Sequence, residues 1–209
     1  MRILCHRGWW LKPEEQNTIA AFLHAFENGM GVETDVRDCL GALVIAHNPP
    51  SDNFLPLTEF ISVYNDNGIG LPMALNIKAD GLQPKISAEI SGINSSDYFV
   101  FDMSTPDTLP YLKNEVPFFT RQSEYEPVPA FYENAVGVWM DCFESEWYVE
   151  SDIRAHLNTG KLVCLVSPEL HKRSYEDLWE MLFTTGLCWE QNMLLCTDFP
   201  EEACFKFAL

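Results

Sequence analysis

A chain of 209 residues with 47% hydrophobic and 21% charged residues is long enough to bury a core and has the composition of one ordinary globular domain. The formal net charge of −18 argues against nucleic acid or an anionic membrane surface as a partner, because basic patches are what hold both. No run of about 18 apolar residues occurs, no signal peptide fits before the first charges, and seven cysteines without a CxxC pair read as buried free thiols; a single cytoplasmic domain over residues 1–209 is expected, with no stable membrane association.

The first apolar run is RILCHR, ending in His6 and Arg7. Ile19, Phe22, Leu23 and Phe26 then recur at helical spacing after the cap candidates Asn17 and Thr18, with a stop at Gly29. GVETDVR is the second run, and across the short turn Asp38–Gly41 it faces ALVIAH, a pattern that predicts a hairpin. Thr58 is the expected cap of a helix with Phe60, Ile61 and Tyr64 on one face. The runs MALNIK, YFVFDM, PFFTRQ, GVWMDC, LVCLVS and MLLCTD follow. Ser174 and Asp177 suggest a capping box for a helix that buries Leu178, Met181 and Leu182 and stops at Gly186. Eight β-like runs, each followed by a helical segment, predict an α/β fold: a (β/α)8 TIM barrel with a small β-hairpin appended after strand 2.

In such a fold the polar residues at the carboxyl ends of the strands are the first to read functionally. They include His6, Arg7, Glu33, Asp35, Asn76, Lys78, Asp102, Arg121, Asp141, Ser167 and Asp198. Glu33 and Asp35 stand two apart on one strand and share a face, where two carboxylates crowd each other unless a cation separates them; an oxygen-liganded Mg²⁺ or Ca²⁺ suits the pair. Asn76 and Lys78 share a face in the same way, offering a neutral oxygen to a metal and an ammonium to a phosphate oxygen. In so acidic a chain a phosphate site needs such a local positive centre. His6 and His47 flank the acidic pair and suit general acid and base roles, while Arg7 offers a guanidinium fork. Trp9 and Trp10 are candidates to line a pocket; His24, His156 and His171 read as surface or packing residues.

The order HRG, QNT-xx-AF, ETD and a strand ending in His, with TDFP near the end, resembles the glycerophosphodiester phosphodiesterases over nearly the whole chain, from His6 to Pro200. The resemblance implies the (β/α)8 barrel, hydrolysis of a small glycerophosphodiester in lipid metabolism, and a divalent metal, Mg²⁺ or Ca²⁺. It assigns His6 and His47 as acid and base, Arg7 and Lys78 to the phosphate, and Glu33, Asp35 and Asn76 to the metal. Three residues depart from the family pattern. Gln16 and Asn76 stand where relatives have Glu, and Asn48 where they have Asp after the His; Asn76 removes a charge from the expected metal site. The segment 48–57 after the hairpin is also short, which leaves room for a different, larger phosphodiester. Two other readings are a binding module that keeps the pocket without effective metal binding, and a phospholipase D-like lyase of the spider-toxin type, whose relatives are secreted and disulfide-bonded.

Overall fold

A computed structural model describes residues 1–50 and 54–209, so 51–53 of the shortened segment 48–57 lie outside the described residues. The chain folds as two compact units, Cys5–Phe118 and Met1–Leu4 with Phe119–Leu209. Strand β1 (Arg2–His6) begins in the second and ends in the first.

In the unit Cys5–Phe118 the elements run α1 (Ile19–Glu27), β2 (Gly31–Cys39), β3 (Ala42–Ile45), β4 (Leu55–Pro56), α2 (Leu57–Asn67), β5 (Met73–Ile77), α3 (Gln83–Glu89), β6 (Tyr98–Phe101) and α4 (Thr105–Lys113). Strand β2 is the hinge of this topology. It pairs parallel with β5, setting Asp35 opposite Asn76, and antiparallel with β3, setting Val36 opposite Ile45. The expected hairpin is therefore present, and β4, which the sequence did not announce, extends it by pairing with β3. β6 lies parallel to β5. Helices α1 and α2 pack on each other through aromatic contacts, Phe22 on Phe60 at 4.6 Å and Phe26 edge-on to Tyr64 at 5.7 Å.

The other unit carries β7 (Phe119–Gln122), β8 (Gly137–Met140), α5 (Glu150–Asn158), β9 (Leu162–Val166), α6 (Glu176–Thr184), β10 (Met193–Thr197) and α7 (Pro200–Phe207). Its strands β7, β8, β9 and β10 are parallel and neighbour one another in that order. LVCLV and MLLCT are continuous apolar runs because strands of a parallel sheet bury both faces. All eight expected runs are strands, and all seven cysteines are free thiols. Among the described residues no helix is long and apolar enough to cross a membrane.

One choice between candidates is decided and two local expectations are corrected. Thr18, not Asn17, caps α1, its hydroxyl accepting from Ala21 N–H, while Asn17 turns to the site described below. Helix α2 starts at Leu57, before Thr58, because Leu57 is fully buried and belongs to the apolar face; Pro56 holds the extended entry. Ser174 does not cap α6: its hydroxyl bonds the Glu176 carboxylate, the helix starts there, and Trp179 rather than the half-buried Met181 joins Leu178 and Leu182 in the core.

The turn after β1 is held at Gly8. Its φ is +85°, and a Cβ there would stand 2.8 Å from the Ala21 Cβ, because Trp9 N–H reaches the Ala21 carbonyl at 2.9 Å and pulls the turn onto α1. Gly8→Ala therefore meets both a left-handed backbone and a steric clash, and should lower unfolding stability by about 2 kcal/mol. A denaturant midpoint unchanged from the wild type would contradict this.

Candidate active site

The site lies in the unit Cys5–Phe118, at the carboxyl ends of β1, β3 and β5 and within β2. Strand periodicity turns Glu33 and Asp35 to one face, where they are 2% and 1% exposed. Charges so deeply buried need partners, and Asp35 has many. Its Oδ2 lies 3.1 Å from Arg7 Nε and accepts from Asn17 Nδ2 at 3.0 Å; its Oδ1 lies 3.5 Å from Lys78 Nζ and 3.1 Å from His47 Nδ1. Glu33 is served more thinly. Its Oε2 accepts from Arg7 N–H at 3.3 Å and lies 3.9 Å from His6 Nε2, and its Oε1 accepts from Asn76 Nδ2 at 3.2 Å.

The two carboxyls consequently move in opposite directions. Burial, then the charge of Asp35, pushes Glu33 above its ordinary value, and His6, Lys78 and Arg7 only partly offset this. Burial acts on Asp35 too, but Lys78, Arg7 and the bonds from Asn17 and His47 outweigh it and hold the group below 3.8. Asp35 is thus the ionised member of the pair.

Backbone geometry serves this arrangement. Arg7, Asn17 and Asp102 are non-glycine residues with φ of 58°, 58° and 71°, a left-handed conformation that costs energy unless the surroundings enforce it. At Arg7 this conformation lets the main-chain N–H meet Glu33 while the side chain turns to Asp35. Asn17 N–H donates to the Arg7 carbonyl at 2.9 Å, and the Asn17 side chain links Asp35 to the Thr34 hydroxyl.

His47 Nδ1 is contested. Arg7 Nη2 donates to it at 2.8 Å, and Asp35 Oδ1 stands 3.1 Å away on the same nitrogen. A guanidinium only donates and a carboxylate only accepts, so the neutral ring answers one at a time. With Arg7 as partner, the proton sits on Nε2. With Asp35 as partner, Nε2 holds a lone pair.

All seven residues singled out for the site are near one another: His6, Arg7, Glu33, Asp35, His47, Asn76 and Lys78. Asp102 reaches the cluster through Lys78 at 3.4 Å. Gln16, a departure from the family pattern, accepts from Arg7 Nη1 at 3.1 Å and keeps the fork in place without a further charge. Trp9 stacks on His24 at 4.1 Å and Trp10 Nε1 donates to the His6 carbonyl at 2.9 Å, so both anchor the loop that carries His6 and Arg7.

No group of three or more His, Cys, Asp and Glu suited to a metal occurs among the described residues; beside Glu33 and Asp35 the third candidate oxygen belongs to an amide. Asn76 Oδ1 is buried and has no hydrogen-bond partner. A cation between Glu33 and Asn76 would give the amide oxygen a ligand and relieve the buried carboxylate, so these residues with Asp35 fit an oxygen-seeking divalent ion. The fit carries two negative charges rather than three, and Arg7 and Lys78 already draw on one of them.

Other strand-end residues find partners elsewhere. In the unit containing β7 to β10, Arg121 pairs with Glu126 at 2.8 Å, the Ser167 hydroxyl accepts from Trp179 Nε1 at 2.9 Å, and Asp198 N–H donates to Glu169 at 3.1 Å. Asp141 pairs with His171 Nε2 at 2.7 Å. His171, read from the sequence as a surface or packing residue, closes the short helical turn Pro168–His171 directly after β9 and meets the residue directly after β8. That turn, announced only by Pro168, was the one sequence signal that could have moved His171 toward a strand end.

No family model matches the sequence and no curated protein does. Solved structures do. A candidate glycerophosphodiester phosphodiesterase of Galdieria sulphuraria superposes with a TM-score of 0.76 at 18% identity, covering 100% of this chain and 98% of the other. A phosphodiesterase of Oleispira antarctica, in complex with the product sn-glycerol-3-phosphate, gives 0.72 at 16% identity, with 100% and 97% covered. The glycerophosphodiester phosphodiesterase of Agrobacterium tumefaciens gives 0.70 at 14%, with both chains fully covered at 100%. Likeness at such identities speaks to the fold alone, and it bears out the (β/α)8 class expected from the eight β-α units.

Because the folded value of Asp35 lies below its ordinary one, its ionised form contributes stability at pH values above 3.8 that fades as the pH falls through the lowered value. Asp35→Asn removes that contribution and leaves Arg7 and Lys78 facing a neutral group. With EDTA present, the substitution should cost about 3 kcal/mol at pH 7 and clearly less at pH 3, read from urea midpoints. An equal cost at both would show that Asp35 is not held ionised.

Proposed function

We propose that this chain is a phosphodiesterase of the glycerophosphodiester phosphodiesterase family, which uses a divalent metal to hydrolyse a small phosphodiester to a phosphomonoester and an alcohol. The observation that carries the reading is the convergence of His47, a guanidinium and an ammonium on one ionised carboxylate, Asp35, with His6 against the neighbouring buried Glu33. That set holds an anion at a point where protons can be moved. The product complex of the Oleispira antarctica phosphodiesterase supports a glycerophosphodiester as substrate.

Arg7 and Lys78 bind the phosphate oxygens, the fork of Arg7 giving orientation and the point charge of Lys78 gathering the charge that builds up during reaction. When bound, Mg²⁺ or Ca²⁺ held by Glu33, Asp35 and Asn76 supplies Lewis acidity toward a phosphoryl oxygen. His47, 46% exposed at its side chain, faces solvent and substrate. Once Arg7 turns to the phosphate, His47 changes tautomer by exchange with solvent: Nε2 gives up its proton, Nδ1 gains one and donates a hydrogen bond to Asp35, and the lone pair on Nε2 is the base. That base takes a proton from water, the water oxygen bonds to phosphorus, the ester P–O bond breaks, and the alcohol departs with a proton given by His6. The reverse assignment of the two histidines follows the same balance.

The reading also bears on where the protein works: substrates are small molecules, nucleic acid is no partner of so acidic a chain, and a cytoplasmic location suits free thiols. A binding module that retains the pocket is the second reading, favoured by one observation, the neutral Asn76 in the metal set.

Turnover on a panel of phosphodiesters, with and without EDTA, is the direct test. His6→Ala and His47→Ala should each lower turnover by at least about 10²-fold with the circular dichroism spectrum unchanged. Wild-type activity in either variant removes its assigned role. Titration calorimetry with Mg²⁺ and Ca²⁺ divides the two readings, since absence of binding at millimolar metal favours the module.

A further inference from the structure

Beside Arg7 and His47 a groove of about 650 Å³ opens within the unit Cys5–Phe118. One wall is the segment between β1 and α1, with Pro13 and Ile19; the other comes from the end of β3 and the start of β4, with Ile45, Phe54 and Leu55. Ile19, Phe54 and Leu55 are each half-buried, so they present apolar surface to the groove rather than packing it away. A free protein leaves such surface wet at a cost, and a ligand that covers it recovers that cost.

The lining is chemically divided. It includes Arg7, the group that meets the phosphate in the proposed reaction. Gln16, Asn17 and Thr18 give neutral hydrogen-bonding groups beside it. Among the described residues lining the groove none is acidic, although the chain carries 31 acidic residues against 13 basic ones. An ammonium group seated there would meet Arg7 and hydrocarbon with no carboxylate among the described lining residues to offset it, whereas an uncharged chain loses nothing on leaving water.

We infer that this groove is the subsite for one alcohol of the phosphodiester, and that it selects an uncharged alcohol with an apolar chain over one bearing an ammonium group. The inference rests on the reading of Arg7 as the phosphate ligand. Its volume admits more than a glycerol, in the range of sites that hold drug-sized ligands. It also gives a physical meaning to the short segment 48–57: the apolar wall of Phe54 and Leu55 comes close to His47 in the chain, with no long insertion between.

Phosphate monoesters test the groove apart from catalysis. Calorimetry on the full chain should find hexyl phosphate bound about tenfold more tightly than phosphocholine, because both offer the same phosphate and differ only in what enters the groove. Ile19→Asn and Phe54→Asn should each cut that preference at least about threefold while leaving methyl phosphate affinity as it was. Equal affinity for the two ligands, no binding of hexyl phosphate, or an equal loss for methyl and hexyl phosphate in both variants overturns the assignment. Turnover of a hexyl glycerol phosphodiester is measured alongside. A hexyl preference without turnover keeps the groove and removes the enzyme; turnover without a hexyl preference keeps the enzyme and removes the groove.

Discussion

Two carboxylates buried on one face of one strand cannot both be ionised without help, and the local structure around β2 is organised by that constraint. Glu33 and Asp35 are almost completely withdrawn from water. Their neighbours divide unequally: Asp35 collects two cations and two neutral donors, and Glu33 receives a main-chain N–H, an amide and a more distant imidazole. The inequality separates the two pKa values, which is how like groups acquire different tasks within one site. Arg7 belongs to both arrangements at once. Its main chain serves Glu33 and its side chain Asp35, which a left-handed backbone allows and an extended one would not. Gly8 must follow, since the chain then folds against Ala21 with no space for a side chain.

Gln16 and Asn76 act on the same balance. A carboxylate at either position would add negative charge to a cluster that already holds two; the amides keep hydrogen bonding and omit the charge. At Gln16 the result is a fixed Arg7. At Asn76 it is a buried oxygen without a partner next to a carboxyl driven toward its neutral form, a place where either a proton or a cation relieves the strain. The contested nitrogen of His47 extends this economy to the imidazole: whichever partner Arg7 chooses sets the tautomer. Withdrawal of Arg7 would leave Asp35 as the partner of Nδ1 and a lone pair on Nε2.

The apolar groove adds a second kind of information to the site. In the proposed reading charge would gather the phosphate, and the uncharged Ile19, Phe54 and Leu55 would act on whatever the phosphate is joined to. His47 follows β3 and Leu55 lies in β4, which pairs with β3.

Much of this was written in the sequence. Alternating and continuous apolar runs fixed all eight β-α strands and the hairpin, because burial on one or both faces leaves a period that needs no knowledge of neighbours. Periodicity likewise put Glu33 with Asp35, and Asn76 with Lys78, on shared faces. Helix starts at Leu57 and Glu176 escaped that reading, since which residue begins a helix depends on what its first turn is packed against. So did the pairing of His171 with Asp141, the strand β4, and the role of Trp9 and Trp10 as anchors. The sequence by itself determined which chemical groups stand at the strand ends; tertiary structure alone decided that Arg7 and Lys78 neutralise Asp35 and leave Glu33 nearly alone. That division is a matter of distances of 3 to 4 Å between residues up to 43 positions apart, and such distances come from register and packing rather than from any local pattern.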